Sequence, residues 1–129
     1  MKQRVVSLSD FGPAENMSLI ETDIPTPGIG QIVVKNNAIG LNYLDTYFRS
    51  GLYPWPNNND IKIPGSEGVG YIHAVGSDVS DFKEGDRVSY VTPVGAYAEY
   101  AVINAAHACL LYTSPSPRDL STSRMPSSA

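Results

Sequence analysis

Short runs of alternating apolar and polar residues, each stopped by Gly, Pro, Asn or Asp, fill this chain up to about residue 110. That period of two belongs to β-strands, so the pattern excludes a mainly helical fold. KQRVVSL (2–8) and MSLIETDI (17–24) are two such runs, separated by SDFGPAEN with its turn-forming Asp, Gly, Pro and Asn. IPTPGIG (24–30) holds two prolines and two glycines and reads as a connection into a further strand, QIVVKNNAIG. VGYIHAVG places Val69, Tyr71, His73 and Val75 on one face and Gly70, Ile72 and Ala74 on the other. DRVSYV and GAYAEYAVI complete the set, and KEGD (83–86) reads as a tight turn ahead of Arg87 and Val88. Many short strands with Gly/Pro turns predict a mainly β fold, a small barrel or sandwich rather than a doubly wound sheet.

One segment breaks the alternation. In NYLDTYFRSG (42–51), Asn42 is a suitable N-cap, Asp45 lies in the first turn and Gly51 is a suitable stop, which predicts one short helix. Leu44, Tyr47 and Phe48 fall at i, i+3, i+4 and give it an apolar stripe. The helix also brings amide, phenol, carboxylate and guanidinium groups within two turns, and Tyr53 and Trp55 follow in a proline-closed loop. Aromatic rings beside hydrogen-bonding groups suit a flat conjugated ligand. On pattern alone, a plain surface helix with an aromatic-capped loop remains an equal reading.

The glycine-rich stretch IPGSEGVGYIHAVG (63–76) poses a choice between phosphate loop, metal site and bent strand. A dinucleotide loop needs G-x-G-x-x-G between a strand and a helix, so that amides at the helix N-terminus meet the pyrophosphate. Here the spacing is reversed and the following residues read as strand, which removes the phosphate reading. Glu67 and His73 alone do not make a ligand cluster. The glycines are read as bends or close backbone approaches within strands.

Composition sets the remaining bounds. A chain of 129 residues is sized for one modest domain, and 42% hydrophobic with 17% charged residues is ordinary for a globular protein. A net charge of −4 argues against nucleic-acid and anionic-membrane surfaces. No apolar run reaches bilayer length, and MKQRVVSLSD turns acidic where a signal peptide would turn apolar, so a cytoplasmic protein without membrane attachment is expected. One cysteine, Cys109, excludes an internal disulfide and a multi-thiolate zinc centre, and no role is assigned to its thiol.

After about Leu110 the character changes. Tyr112 to Ala129 contains six Ser, three Pro and two Thr and buries too little apolar surface to offset its ordering entropy. A natural flexible tail and, from its Ser-Pro dipeptides, a phosphorylatable linker are alternative readings, but the stretch from Cys109 closely resembles the read-through translation of a sequencing adapter. Residues 1–108 are therefore expected to form the folded domain, and 109–129 a disordered, non-native tail.

Three phrases coincide in order: AIGLNYLDTYFRSGLYP, then IPGSEGVGYIHAVGSDVSDFKEGDRV, then GAYAEYAVI. Together they resemble the N-terminal domain of the zinc-independent, zeta-crystallin-like quinone oxidoreductases of the medium-chain dehydrogenase/reductase superfamily. The resemblance runs from Val5 to Ala108. It implies a GroES-like, partly open β-barrel with one short helix, and a parent enzyme whose NADPH-binding Rossmann domain is absent from this chain. It also implies hydride transfer from NADPH to a quinone or activated enone, in a parent that is a homodimer. Asn42, Tyr43, Leu44, Asp45 and Thr46 match the family segment at the nicotinamide end of the cofactor cleft, while Tyr47 and Tyr53 match aromatic positions around nicotinamide and quinone. Arg49 belongs to the same phrase and receives no role. Zinc-dependent relatives carry Gly-His-Glu where this chain has Gly65-Ser66-Glu67, and a ligand Cys near 42–45 where it has none, so no metal is expected. An enoyl or alkenal reductase of the same superfamily, and a non-catalytic GroES-like module, are the alternatives.

Overall fold

The computed structural model describes residues 1–57 and 59–111. Its elements are β1 (Lys2–Leu8), β2 (Met17–Asp23), β3 (Gln31–Ile39), α1 (Tyr43–Ser50), β4 (Glu67–Val75), β5 (Arg87–Val91), β6 (Tyr100–Asn104) and β7 (Ala108–Leu110), with short 3-10 turns at Ala14–Asn16 and Ala105–His107. The strands and the single helix fall where alternation and caps place them. GAYAEYAVI is the partial exception, because only its second half is strand. Residues 96–99 leave the ladder to stitch other parts together: Tyr97 N–H donates to the Pro64 carbonyl (2.9 Å), Val6 N–H to Tyr97 (2.9 Å) and Glu99 N–H to Arg4 (3.1 Å).

β1 and β2 form a two-stranded antiparallel hairpin, and the other five strands form an antiparallel sheet in the order β6-β3-β4-β5-β7. The topology forces that sheet to curl. β6 and β7 occupy opposite edges, yet only Ala105–His107 separate them. Four inter-strand steps in a flat sheet span roughly 19 Å. The four-residue advance from Asn104 to Ala108 reaches roughly 14 Å at most. Two bulges help the bend: the β3–β4 register slips between Val33 and Val34 and again between Asn36 and Ala38. Gly70 sits beside the second slip, where an added Cβ would lie 2.0 Å from the Lys35 carbonyl oxygen. Gly70 thus serves close backbone approach within a strand, while Gly68 makes room for the Tyr90 and Asn36 side chains.

Bridges Val5↔Ala98 and Leu8↔Lys62 tie the hairpin to the segments that lead into β6 and β4 and complete the partly open barrel. Inside it Ile32, Val34, Ile72, Val88, Tyr90, Ala96, Ala101 and Ile103 pack together. α1 lies between β3 and β4, which pair antiparallel, so among the described residues there is no parallel strand–helix–strand unit of a nucleotide-binding domain, and no helix is long and apolar enough to cross a membrane.

The boundary expected at 108 falls inside a strand. Ala108, Cys109 and Leu110 pair with Tyr90, Ser89 and Val88 of β5, and Leu111 N–H donates to Arg87 (2.7 Å). Ala108 and Leu110 pack against the core while Cys109 is exposed. Their alternation is what carries the barrel edge two residues beyond the expected limit. The rest of the expected tail, 112–129, lies outside the described residues.

Candidate functional site

α1 starts where Asp45 can satisfy an orphan backbone donor of its own first turn. The Asn42 N–H donates to Asp45 Oδ2 (3.1 Å), and the Asp45 N–H donates to the Asn42 carbonyl (3.0 Å). Gly51, in the left-handed region, is the C-cap. The helix does not bury the stripe its spacing predicts. Asp45 and Phe48 are its buried residues, while Leu44 and Tyr47 stay 36% and 39% exposed. The reason is a polar anchor: the Asp45 carboxylate also accepts hydrogen bonds from Ser66 Oγ (3.3 Å) and Tyr97 OH (2.5 Å). These contacts turn the Asp45 face inward and leave the aromatic face outward.

The outward face is the feature with chemical meaning. Leu41, Tyr43, Leu44, Tyr47, Leu52 and Tyr53 are all exposed. Tyr47 and Tyr53 are brought together, ring centroids 5.4 Å apart and planes 58° apart, and Tyr53 N–H donates to the Tyr47 carbonyl (3.2 Å). Beneath them Phe48 meets Tyr53 and Trp55 edge-on, and Trp55 meets Phe11 at 6.2 Å. Phe11 is a contributor that sequence reasoning missed, because it arrives from a turn 44 positions away from Trp55. The phenols of Tyr43, Tyr47 and Tyr53 make no hydrogen bond to a described residue.

The seven residues assigned by resemblance therefore divide. Tyr47 and Tyr53 form the aromatic pair. Asn42, Asp45 and Thr46 line a separate pocket of about 280 Å³ with Arg49, Tyr97 and Leu41, and Tyr43 and Leu44 are exposed beside it. Thr46 Oγ1 donates to the Tyr43 carbonyl (2.6 Å). Asp45 is only 5% exposed, so it contributes through what it holds rather than through an open surface. Arg49, left without a role, is structural: its Nε donates to the Gly12 carbonyl (3.1 Å), while Gly12 N–H donates back to the Arg49 carbonyl (2.9 Å). A larger, mostly apolar cavity of about 650 Å³ opens between the β1–β2 hairpin and the end of β3, sharing Leu41, Met17 and Tyr97 with the smaller one.

Ser66 is buried, and its hydroxyl lies 3.0 Å from the Pro93 carbonyl as well as 3.3 Å from Asp45. The Tyr97 phenol is held well above the usual tyrosine range, first by burial and then by its hydrogen bond to Asp45, with Arg49 pulling weakly the other way. Among the described residues, no three of His, Cys, Asp and Glu lie close enough together to hold a metal ion.

The profile of the alcohol dehydrogenase GroES-like domain matches residues 28–114. A probable quinone oxidoreductase of Schizosaccharomyces pombe is 48% identical over 101 residues, covering 78% of this chain and 30% of that protein. The solved quinone oxidoreductase of Pseudomonas syringae pv. Tomato superposes with a TM-score of 0.81 at 43% identity, over 88% of this chain and 35% of that one. A mycobacterial protein solved in complex with NADPH superposes with a TM-score of 0.77 at 32% identity, again over 88% and 35%. The chain thus spans about a third of the length of the proteins it matches.

Proposed function

The chain belongs to the alcohol dehydrogenase GroES-like domain family, and from that premise we propose that it is the substrate-side domain of an NADPH-dependent, zinc-independent quinone oxidoreductase. The observation that carries this reading is the Tyr47–Tyr53 pair on an exposed aromatic face. A quinone ring is flat, apolar on its faces and polar at its edge. The pair offers ring faces for stacking and, for the edge, two phenols that make no hydrogen bond to a described residue.

The same residues suit a nicotinamide. Asn42 to Thr46 sit at the start of α1, where Tyr43 and Leu44 give an apolar surface and the first turn is fixed by its own hydrogen bonds. The bound cofactor supplies the hydride. This chain's part is to hold two planar rings in register, and to present the Tyr47 and Tyr53 phenols to oxygen that gains negative charge as the quinone is reduced. Neutral phenol donors serve that charge without a Lewis acid. Zinc independence belongs to the same proposal: Ser66, in the place where zinc-dependent relatives carry histidine, directs its hydroxyl to Asp45 and Pro93.

The test is a chimera in which residues 1–111, which include all of β7, are joined to the remaining portion of the Pseudomonas syringae relative. NADPH-dependent reduction of a naphthoquinone by the chimera, with none by the 129-residue chain alone, is the expected result. Reduction of 2-alkenals without quinone turnover would replace the quinone assignment by an alkenal reductase.

A further inference from the structure

We propose that Tyr97 is a positioning residue for this site: through Asp45 it fixes the first turn of α1 against the barrel. That the turn so fixed faces the cofactor rests on the function proposed above; the clamp itself does not.

Asp45 is a buried carboxylate without an ion pair among the described residues. Among the described residues the salt bridges are Lys2–Asp23 and Arg4–Glu99, both at the surface. Asp45 is instead held by three neutral donors: Asn42 N–H, Ser66 OH and Tyr97 OH. A buried charge is tolerated only when such donors surround it. The three differ in what they attach. Asn42 precedes the helix itself, so its bond closes the turn locally. Ser66 is the longest contact at 3.3 Å, and its single proton is shared with the nearer Pro93 carbonyl. Tyr97 gives the shortest bond, and it comes from 52 residues away.

Tyr97 also stands on a fixed base. Its N–H donates to Pro64, its carbonyl accepts from Val6, and its ring lies against Gly65, where an added Cβ would be 2.4 Å from Cδ1. The phenol therefore reaches Asp45 from a backbone tied to both the hairpin and the Pro64–Ser66 segment. Its proton is held above the usual tyrosine range, first by burial and then by Asp45, so the donor is present at neutral pH.

The experiment compares the whole chain with Tyr97→Phe, Ser66→Ala and Asp45→Asn by NMR. Tyr97→Phe keeps the ring against Gly65 and removes only the hydroxyl. Loss of one charge-assisted hydrogen bond corresponds to about tenfold faster amide exchange for Tyr47 and Phe48 in α1. Amides of Ile32 and Ile72 in the sheet should be unchanged, and Ser66→Ala should have a smaller effect. In Asp45→Asn, a ¹³Cζ label on Tyr97 should titrate at lower pH than in the parent chain, a change that mere packing would not produce. Unchanged α1 exchange in Tyr97→Phe, equal acceleration in α1 and the sheet, or an unmoved Tyr97 titration would each overturn the proposal. Neither readout uses NADPH or a quinone, so its failure is separable from failure of the chimera assay.

Discussion

Gly65 and Tyr97 interlock. Gly65 has φ +103°, and an added Cβ would meet Tyr97 Cδ1 at 2.4 Å and the Tyr97 backbone nitrogen at 2.8 Å. The contact includes backbone, so the tyrosine cannot simply swing aside. Gly65→Ala combines left-handed strain with overpacking and should destabilise the chain by about 3 kcal/mol. Urea denaturation measures it. A loss below about 1 kcal/mol would mean that the segment around Pro64 yields more freely than this packing allows.

Tyr90 makes the fold sensitive to alkali. Burial pushes its phenol up to about 12. The folded state thus favours the protonated form, and the associated stability is complete below about pH 10 and is lost as pH rises through about 12. The loss is about 2 kcal/mol by that point and approaches its limit of just under 3 kcal/mol only above it, and Tyr97 adds in the same direction. Tyr90→Phe should begin about 1 kcal/mol lower at neutral pH, because Asn36 Oδ1 loses its donor, and should then fall less steeply. Parallel pH profiles for the two proteins would contradict this.

β7 provides a third check. Leu110 packs against the core and Cys109 is exposed on the same short strand. Leu110→Ala should cost about 2 kcal/mol, whereas Cys109→Ser should stay within about 0.5 kcal/mol. Equal and negligible effects would show that the barrel ends at residue 108 after all.

These cases show what the sequence could and could not disclose. Strand and helix positions were legible because alternation and capping are local: β1, β3 and α1 lie where KQRVVSL, QIVVKNNAIG and NYLDTYFRSG place them. The inward face of α1 was not. Apolar spacing points to Leu44, Tyr47 and Phe48, but a carboxylate held by Ser66 and Tyr97, 21 and 52 residues away, overrides it. Asp45 reads in sequence as a helix-start acid and, by resemblance, as part of the cofactor-cleft segment, with no sign of its distant partners. Resemblance to a family singled out Tyr47 and Tyr53 but not the contact between their rings, and the support from Phe11 depends on the turn at 9–12 folding against the end of α1. β7 was half legible, since the alternation reaches Leu110 while the compositional change begins beside it.

The central claim is that the face carrying Tyr47 and Tyr53 receives a planar quinone. Its most direct test is an aromatic ¹H–¹³C NMR titration of the chain with a naphthoquinone. Shifts should concentrate on Tyr47 and Tyr53 and disappear in the Tyr47→Ala/Tyr53→Ala double variant, while Tyr90 and Tyr100 stay still. Shifts that map instead to the apolar cavity around Val6, Leu19 and Ile39, or that survive in the double variant, would contradict the account.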